Sequence, residues 1–297
     1  MSKSNIIYAI TSDGEKLEGG TYITPEQAQR EEEIRAERKA YFKRQEQANV
    51  LRINFTEILG EFYFMNYRKL LATIDDDTGL AFKYLYLCTF ADKDGRLEYE
   101  GKPVIHKDFR RILQLKDRHV ASNVVRKMEE LLLLYSIDSI YYVNTQYYIR
   151  NRTLPDDFKG NSSRMIDRGI QRLYEQSTPR YHNMLGKIVP LLEHLNKHNN
   201  ILCSADTVNE YDYKRIKPLT ATEICRICGR STENSDYFIK QLRSFVIDRL
   251  PFVRRVVDNT KYKLDCYIVN PYVVYMGNYN NHLEWTFKLF DLGSHYH

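Results

Sequence analysis

Residues 106–132 read HKDFRRILQLKDRHVASNVVRKMEELL, and the spacing within this stretch decides how the rest of the chain is read. His106–Leu113 predicts a short basic helix with Phe109, Ile112 and Leu113 turned inward. Gln114–Lys116 makes a tight connection. A longer helix follows, with Val120, Val124, Met128, Leu131 and Leu132 at helical spacing on its inner face. Arg118, His119, Ser122, Asn123, Arg126 and Lys127 fall on the outer face. Beyond it, Ile140–Val143 and Gln146–Ile149 alternate about Asn144-Thr145, which predicts a β-hairpin.

On the amino-terminal side, residues 55–65 are rich in aromatic and apolar side chains (Phe55, Ile58, Leu59, Phe62, Phe64, Met65). Residues 79–90, GLAFKYLYLCTF, are apolar on most sides and predict a central buried helix. Arg96–Tyr99 predicts a short strand. Still earlier, Ile6–Ile10 suggests a strand, and Thr24-Pro25 with Gln27 reads as a capped helix start. That helix runs to about Gln47 and is charged nearly all round, so it cannot bury a large face.

On the carboxyl-terminal side the same order recurs. Asn151–Gly160 has loop chemistry, and Ser162 or Ser163 is expected to cap a connecting helix that reaches about Glu175. Met184, Leu185, Ile188, Val189, Leu192 and Leu195 mark an amphipathic helix. Thr220–Cys228 is a short helix with a Thr220/Glu223 capping box and a stop at Gly229. Arg230–Asn234 is the turn. A longer helix then turns Phe238, Leu242, Phe245 and Val246 inward and Tyr237, Lys240, Gln241 and Ser244 outward. Phe252–Val257 and Lys261–Val269 flank Asp258-Asn259-Thr260 as a second hairpin. Phe109 and Ile112 match Ile224 and Ile227 at a constant offset, and Val124, Met128 and Leu131 match Phe238, Leu242 and Phe245 with one residue less in the turn.

Short helix, tight turn, longer helix and hairpin is the order of a winged helix-turn-helix. The expected fold class is therefore mostly α with small β-hairpins, an α+β chain with two tandem winged helix-turn-helix domains. The expected boundaries are a charged extension over 1–53, a first winged-helix domain over 54–151, a linker helix over 152–180 and a second winged-helix domain over 181–297.

Composition narrows the function. The 297 residues carry 44 Lys+Arg against 39 Asp+Glu, and 43% are apolar, which excludes collagen, a disulfide scaffold and a wholly disordered chain. No apolar run approaches the roughly 20 residues of a membrane span, and the amino terminus lacks the apolar core of a signal peptide. The five cysteines are an odd number, which predicts a reduced, cytoplasmic protein. The cationic excess lies within residues 151–297, yet 106–127 is also locally basic. Such a distribution suits a polyanion.

An α-helix fits the major groove of duplex DNA, where Arg can grip guanine and Asn or Gln can grip adenine by two bonds each. In the first unit the candidate DNA-binding residues are Lys107, Arg110, Arg111, Lys116, Arg118, His119, Ser122, Asn123 and Arg126. In the second they are Arg230, Ser231, Asn234, Ser235, Tyr237 and Lys240, with Arg254, Arg255, Lys261 and Lys263 on the wing. Arg150 and Arg152 would serve the first wing. Wing cations meet phosphates and position the protein without reading sequence.

The double layout resembles replication initiator proteins of Gram-positive plasmids and phages. The segment Ile268-Val269-Asn270-Pro271-Tyr272-Val273-Val274-Tyr275-Met276-Gly277-Asn278 is similar to the stretch after the wing in those proteins. The resemblance spans roughly residues 180–278 well and 55–150 only by architecture. It implies origin binding, recruitment of host replication machinery and a switch between monomer and homodimer. A phage transcriptional regulator and a winged-helix adaptor docking a host protein remain the alternatives.

Enzyme readings are weaker, and neither catalytic residues nor a cofactor are expected. Gly95–Lys102 departs from a phosphate-binding loop by one residue of spacing, and Pro103 stands where a hydroxyl should hold magnesium. No histidine–aliphatic–histidine triplet accompanies the 24 tyrosines, His295-Tyr296-His297 having an aromatic centre, so a strand-nicking site is not expected. Cys225 and Cys228 lack the second pair that structural zinc needs and read as small buried hydrophobes. His194 and His198 are expected on a solvated helix end, and the acidic runs 75–77 and 156–157 in loops and caps.

Overall fold

The structure is a computed structural model that describes residues 9–10, 16–17, 29–40, 42, 59–75, 77–258, 264–277, 286–287 and 290. The chain divides into two compact units, Met1–Asn54 and Phe55–His297. In the first, Ala9–Ile10 pairs antiparallel with Lys16–Leu17, and residues 29–40 are helical. That helix is exposed along nearly its whole length, as its charge pattern dictates. The expected cap at Thr24-Pro25 and the end near Gln47 lie outside the described residues.

The second unit mixes helix and strand in an α+β arrangement built on one antiparallel sheet. Its first half contains β1 (Phe62–Asn66), α1 (Tyr67–Ile74), α2 (Thr78–Cys88), α3 (Phe109–Ile112), α4 (Arg118–Glu130), β2 (Leu134–Ile137), β3 (Ile140–Val143) and β4 (Tyr148–Ile149). Its second half contains β5 (Ser162–Ile166), α5 (Asp167–Gln176), α6 (His182–Leu185), α7 (Ile188–Leu191), α8 (Ala221–Ile227), α9 (Ser235–Ser244), β6 (Val253–Asp258), β7 (Leu264–Val269) and β8 (Val274–Tyr275). The helices start where side chains satisfy orphan amides. Asn66 accepts from Lys69 N at 3.1 Å to begin α1, and Asp77 accepts from Leu80 N at 2.9 Å to begin α2.

The sheet order is β8–β5–β1–β4, so both halves contribute to it. At its centre β1 pairs with β5 from Phe62↔Ile166 to Asn66↔Ser162. Phe64 and Arg164 face each other at the middle, with the guanidinium 5.0 Å from the Phe64 ring centroid. The outer strands join in matching register: Phe64 and Met65 pair with Ile149 and Tyr148, while Arg164 and Met165 pair with Tyr275 and Val274. An antiparallel pair has a local two-fold axis normal to its sheet. Here the register exchanges the sheet strands of the two halves, β1 with β5 and β4 with β8.

The backbone hydrogen bonds repeat under the same exchange. Val143 N donates to Gly95 O at 2.7 Å, and Val269 N to Asn200 O at 3.1 Å. Leu97 N donates to Tyr141 O, and Leu202 N to Tyr267 O, at 3.0 and 2.8 Å. Val104 N reaches Leu97 O, and Leu219 N reaches Leu202 O, at 3.0 and 2.9 Å. Asn144 and Asn270 are the sharpest match. Each accepts on its side-chain oxygen from the amide two residues on, Gln146 at 3.0 Å and Tyr272 at 2.9 Å. Each also donates its side-chain amide back to the strand entrance, to Leu132 O at 2.7 Å and Pro251 O at 3.1 Å.

Three contacts lock the halves into one body with a continuous apolar core. First, α2 and α6 approach so closely that a Cβ on Gly79 would overlap Asn183 and a Cβ on Gly186 would overlap the Thr78 carbonyl. Second, Tyr174 stacks on Tyr86 with ring centroids 3.9 Å apart and planes within 5°, and His182 lies 3.9 Å from its other side. Third, Arg150 is 7% exposed and grips Asp167 with two bonds of 2.6 and 2.9 Å. Its Nε donates to Tyr148 Oη at 2.7 Å. Burial lifts the Asp167 carboxyl to about 6, and the hydrogen bonds and charge of Arg150 oppose that rise.

Several expectations are corrected. The segment 152–180 is no free linker helix: Ser162 and Ser163 sit in a sheet strand, and the helix begins only at Asp167. The first hairpin is 134–143 about Asp138-Ser139, not 140–149 about Asn144-Thr145. Both turn residues have positive φ, 51° and 67°, the geometry that matches strand twist. Tyr148 and Ile149 belong to the central sheet instead. In α4 the buried face is Ala121, Val125 and Met128. Val120 and Leu132 are exposed, because neighbouring apolar pairs at 120/121 and 124/125 let the stripe be phased either way. In the second half Val246 is likewise exposed, and Ile239 takes its place inside. His194 and His198 share no helix: Leu195 is extended, and the His194 ring nitrogen Nδ1 faces Cys203 O at 3.2 Å.

Candidate nucleic-acid interface

The candidate surface is built on the two helix pairs α3–α4 and α8–α9. Both pairs use the same turn. Leu115 N donates to Arg110 O at 2.9 Å, and Arg230 N donates to Cys225 O at 2.9 Å. The chain reverses through a left-handed residue in each, Gln114 at φ 52° and Gly229 at φ 62°. A side chain closes each turn: Asp117 Oδ1 accepts from His119 N at 2.6 Å at the start of α4, and Ser231 Oγ accepts from Glu233 N at 3.4 Å at the start of the 3-10 turn Thr232–Asn234, which leads into α9. The short helices also start alike. Asp108 accepts from Ile105 N at 3.0 Å, and Glu223 accepts from Thr220 N at 2.7 Å.

In the first half the structure exposes Lys107, Arg110, Arg111, Lys116, Arg118, His119, Asn123 and Arg126, and half-buries Ser122. Arg111 is partly engaged, with Glu100 at 3.0 Å and the Tyr99 ring at 4.9 Å. Arg126 reaches Asn123 at 3.4 Å and Glu130 at 3.9 Å. Lys127, on the same helix, is drawn to Asp77 at 2.7 Å, which secures α4 to the start of α2. These are exposed pairs, weak enough to exchange for another anion.

In the second half Arg230, Ser231, Asn234, Tyr237 and Lys240 are exposed, and Ser235 is half-buried. Arg226 and Arg243, which the sequence reading passed over, are exposed on the same two helices. Helical spacing alone placed them among many surface charges and gave no reason to single them out. Of the hairpin cations, Arg254 is half-buried, and Arg255 donates twice to Asp265, at 2.8 and 2.6 Å. That guanidinium is paired within its own hairpin, and its hydrogen bonds, then its charge, hold the Asp265 carboxyl below the ordinary range. Lys261 and Lys263 lie outside the described residues.

The first hairpin fails its expected role. Arg150 is the buried strut between the halves, and Arg152 pairs with Asp94. The hairpin over 134–143 carries no lysine or arginine and exposes Tyr135 and Ile137, with Leu132 beside them at its entrance.

The other chemistry-bearing residues are internal. Cys225 and Cys228 are buried on α8 and its end, and burial pushes the Cys228 thiol up to about 12. Among the described residues no group of three or more His, Cys, Asp or Glu is placed to hold a metal ion. No described helix is long and apolar enough to cross a membrane. Comparison of the chain with protein-family models, with curated proteins and with solved structures finds no match.

Proposed function

We propose that the protein binds double-stranded DNA in a sequence-specific way, through α4 and α9 acting as the recognition helices of two winged-helix units. The observation that supports this reading is the duplicated turn: in each half it leaves the longer helix with an exposed cationic face, Arg118 and Arg126 about Asn123 in α4, and Lys240 and Arg243 in α9 with Asn234 exposed at its cap. Such a face offers charge to phosphates and hydrogen bonds to base edges. The two-fold axis of the central sheet adds geometry. Two units related by such an axis would match a site whose half-sites are inverted, about 34 Å apart. The half-sites differ in sequence, because the two helices present different side chains. No reaction is assigned to the chain.

The role proposed for this binding is the start of plasmid or phage replication, on the resemblance of residues 268–278. The proposed partners are origin DNA, a second copy of the chain and the host replication machinery. Selection from random duplexes, followed by a mobility-shift titration against salt, tests the reading. Affinity should fall steeply with salt, with a logarithmic slope of about −0.9 for each phosphate contacted. Arg118→Ala should lose about 1–3 kcal/mol at one base position. Mapped sites that repeat beside an AT-rich stretch support replication, and a single site over a promoter supports a regulator.

One observation favours a second reading. The apolar first hairpin, with Leu132 at 66% exposed, suits a protein surface better than a phosphate backbone. If no duplex binds at low salt, the winged-helix adaptor is the better reading.

A further inference from the structure

The outer face of α4 is polar with one exception. Val120 is 47% exposed, and no other apolar side chain of the helix is exposed. A β-branched residue is a mediocre helix former, and half in water it gains little from burial. Single exposed apolar residues are common on protein surfaces, so exposure alone assigns nothing. Position does. Val120 lies in the first turn of α4, two residues after Arg118. The amino-terminal residues of a recognition helix are the ones that approach base edges. Asn123 and Lys127, three and seven residues on, share its side of the helix. An apolar knob flanked by an amide and by cations has its counterpart in the major groove. There the C5 methyl of thymine is the one apolar group that a base pair presents.

The other half sharpens the point. With caps Asp117 and Ser231 in register, the residue of the second half that answers to Val120 is Asn234. The same scaffold therefore carries a methyl-bearing side chain on one side and an amide on the other.

We propose that Val120 is a specificity-determining residue of the first half, its methyl groups seating the C5 methyl of a thymine beside the base that Asn123 reads. This rests on the DNA-binding reading above. Removing that one methyl from the DNA leaves every hydrogen-bonding group of the base in place.

The test takes the duplex recovered by selection and replaces each thymine in turn with deoxyuridine, with affinity read by fluorescence anisotropy. The full-length protein should lose about threefold to fivefold at one thymine, the weight of a single buried methyl. Val120→Ala should bind the unmodified duplex weaker by the same factor and no longer distinguish thymine from uracil there. Its helical circular dichroism should be unchanged. Equal affinity for every uracil-substituted duplex overturns the assignment, as does discrimination that survives in Val120→Ala or a half-site without thymine. Those outcomes leave Arg118-dependent binding intact. Failure to recover any duplex instead sinks the DNA-binding reading itself, and this proposal with it.

Discussion

The first half of the molecule closes with a short hairpin over 134–143, bare of cations and apolar at its edge. The second closes with a longer strand pair, 253–258 with 264–269, that bears Arg254 and Arg255. Beneath that difference the halves are bonded alike. Asn144 and Asn270 make the same turn, and Gly95 and Asn200 accept the same strand amide. Backbone groups buried at these points must be paired, and the fold offers one way to pair them. Exposed side chains carry no such obligation. The shared scaffold is fixed by the pairing of its internal hydrogen bonds, while what each half can touch is free to diverge outside.

The comparison breaks most visibly where the halves are joined. Asp167→Asn leaves the buried Arg150 with only the exposed Glu61, 3.9 Å away, as counter-charge, and denaturant titration should show a loss of about 3 kcal/mol. In the parent protein, hydrogen exchange in α4 and α9 should reach the same global opening, because one core serves both. Separate openings would mean that the halves are independent domains after all. Gly186→Val drives a branched side chain into the Thr78 backbone, and a loss of about 1–3 kcal/mol or more is expected from the same titration.

The matched asparagines test the equivalence itself. Asn270 is fully buried and Asn144 only half so. Asn270→Ala strands buried partners and should cost about 1–3 kcal/mol. Asn144→Ala should cost less, since water can reach the groups it leaves, and equal losses would undo the distinction. The smallest effect is at the short helices. Thr220→Ala removes a reciprocal cap and should cost about 1 kcal/mol in thermal unfolding. Asp108→Ala should cost less, because Ile105 has no side-chain acceptor and only one of the two bonds exists there.

Much of the candidate surface was legible in the residues. The stretch 106–132 has a local pattern strong enough to announce two helices and a tight turn, and the recurrence near 220–244 follows the same periodicity. Arg118, Asn123, Tyr237 and Lys240 lie on the exposed faces that this periodicity assigns. Val120 was misplaced because Val120-Ala121 and Val124-Val125 satisfy the helical stripe in two phases. Arg150 was misplaced because a cation after a hairpin looks like a wing cation until its counter-charge, seventeen residues on, is seen to be folded against it.

Legible in the residues alone were the two helix–turn–helix stretches near 106–132 and 220–244, the mostly polar outer faces of their longer helices and the exposed run over 29–40. Those features arise from neighbours within a few turns of helix, where spacing and capping act directly. Only the tertiary structure decided that Ser162–Ile166 is a strand, that β1 and β5 meet at a two-fold axis, and that Arg150 and Asp167 bind the halves into one body. Strands of two to five residues carry little local signal, and pairing between positions a hundred residues apart depends on surfaces that exist only once the chain has closed on itself.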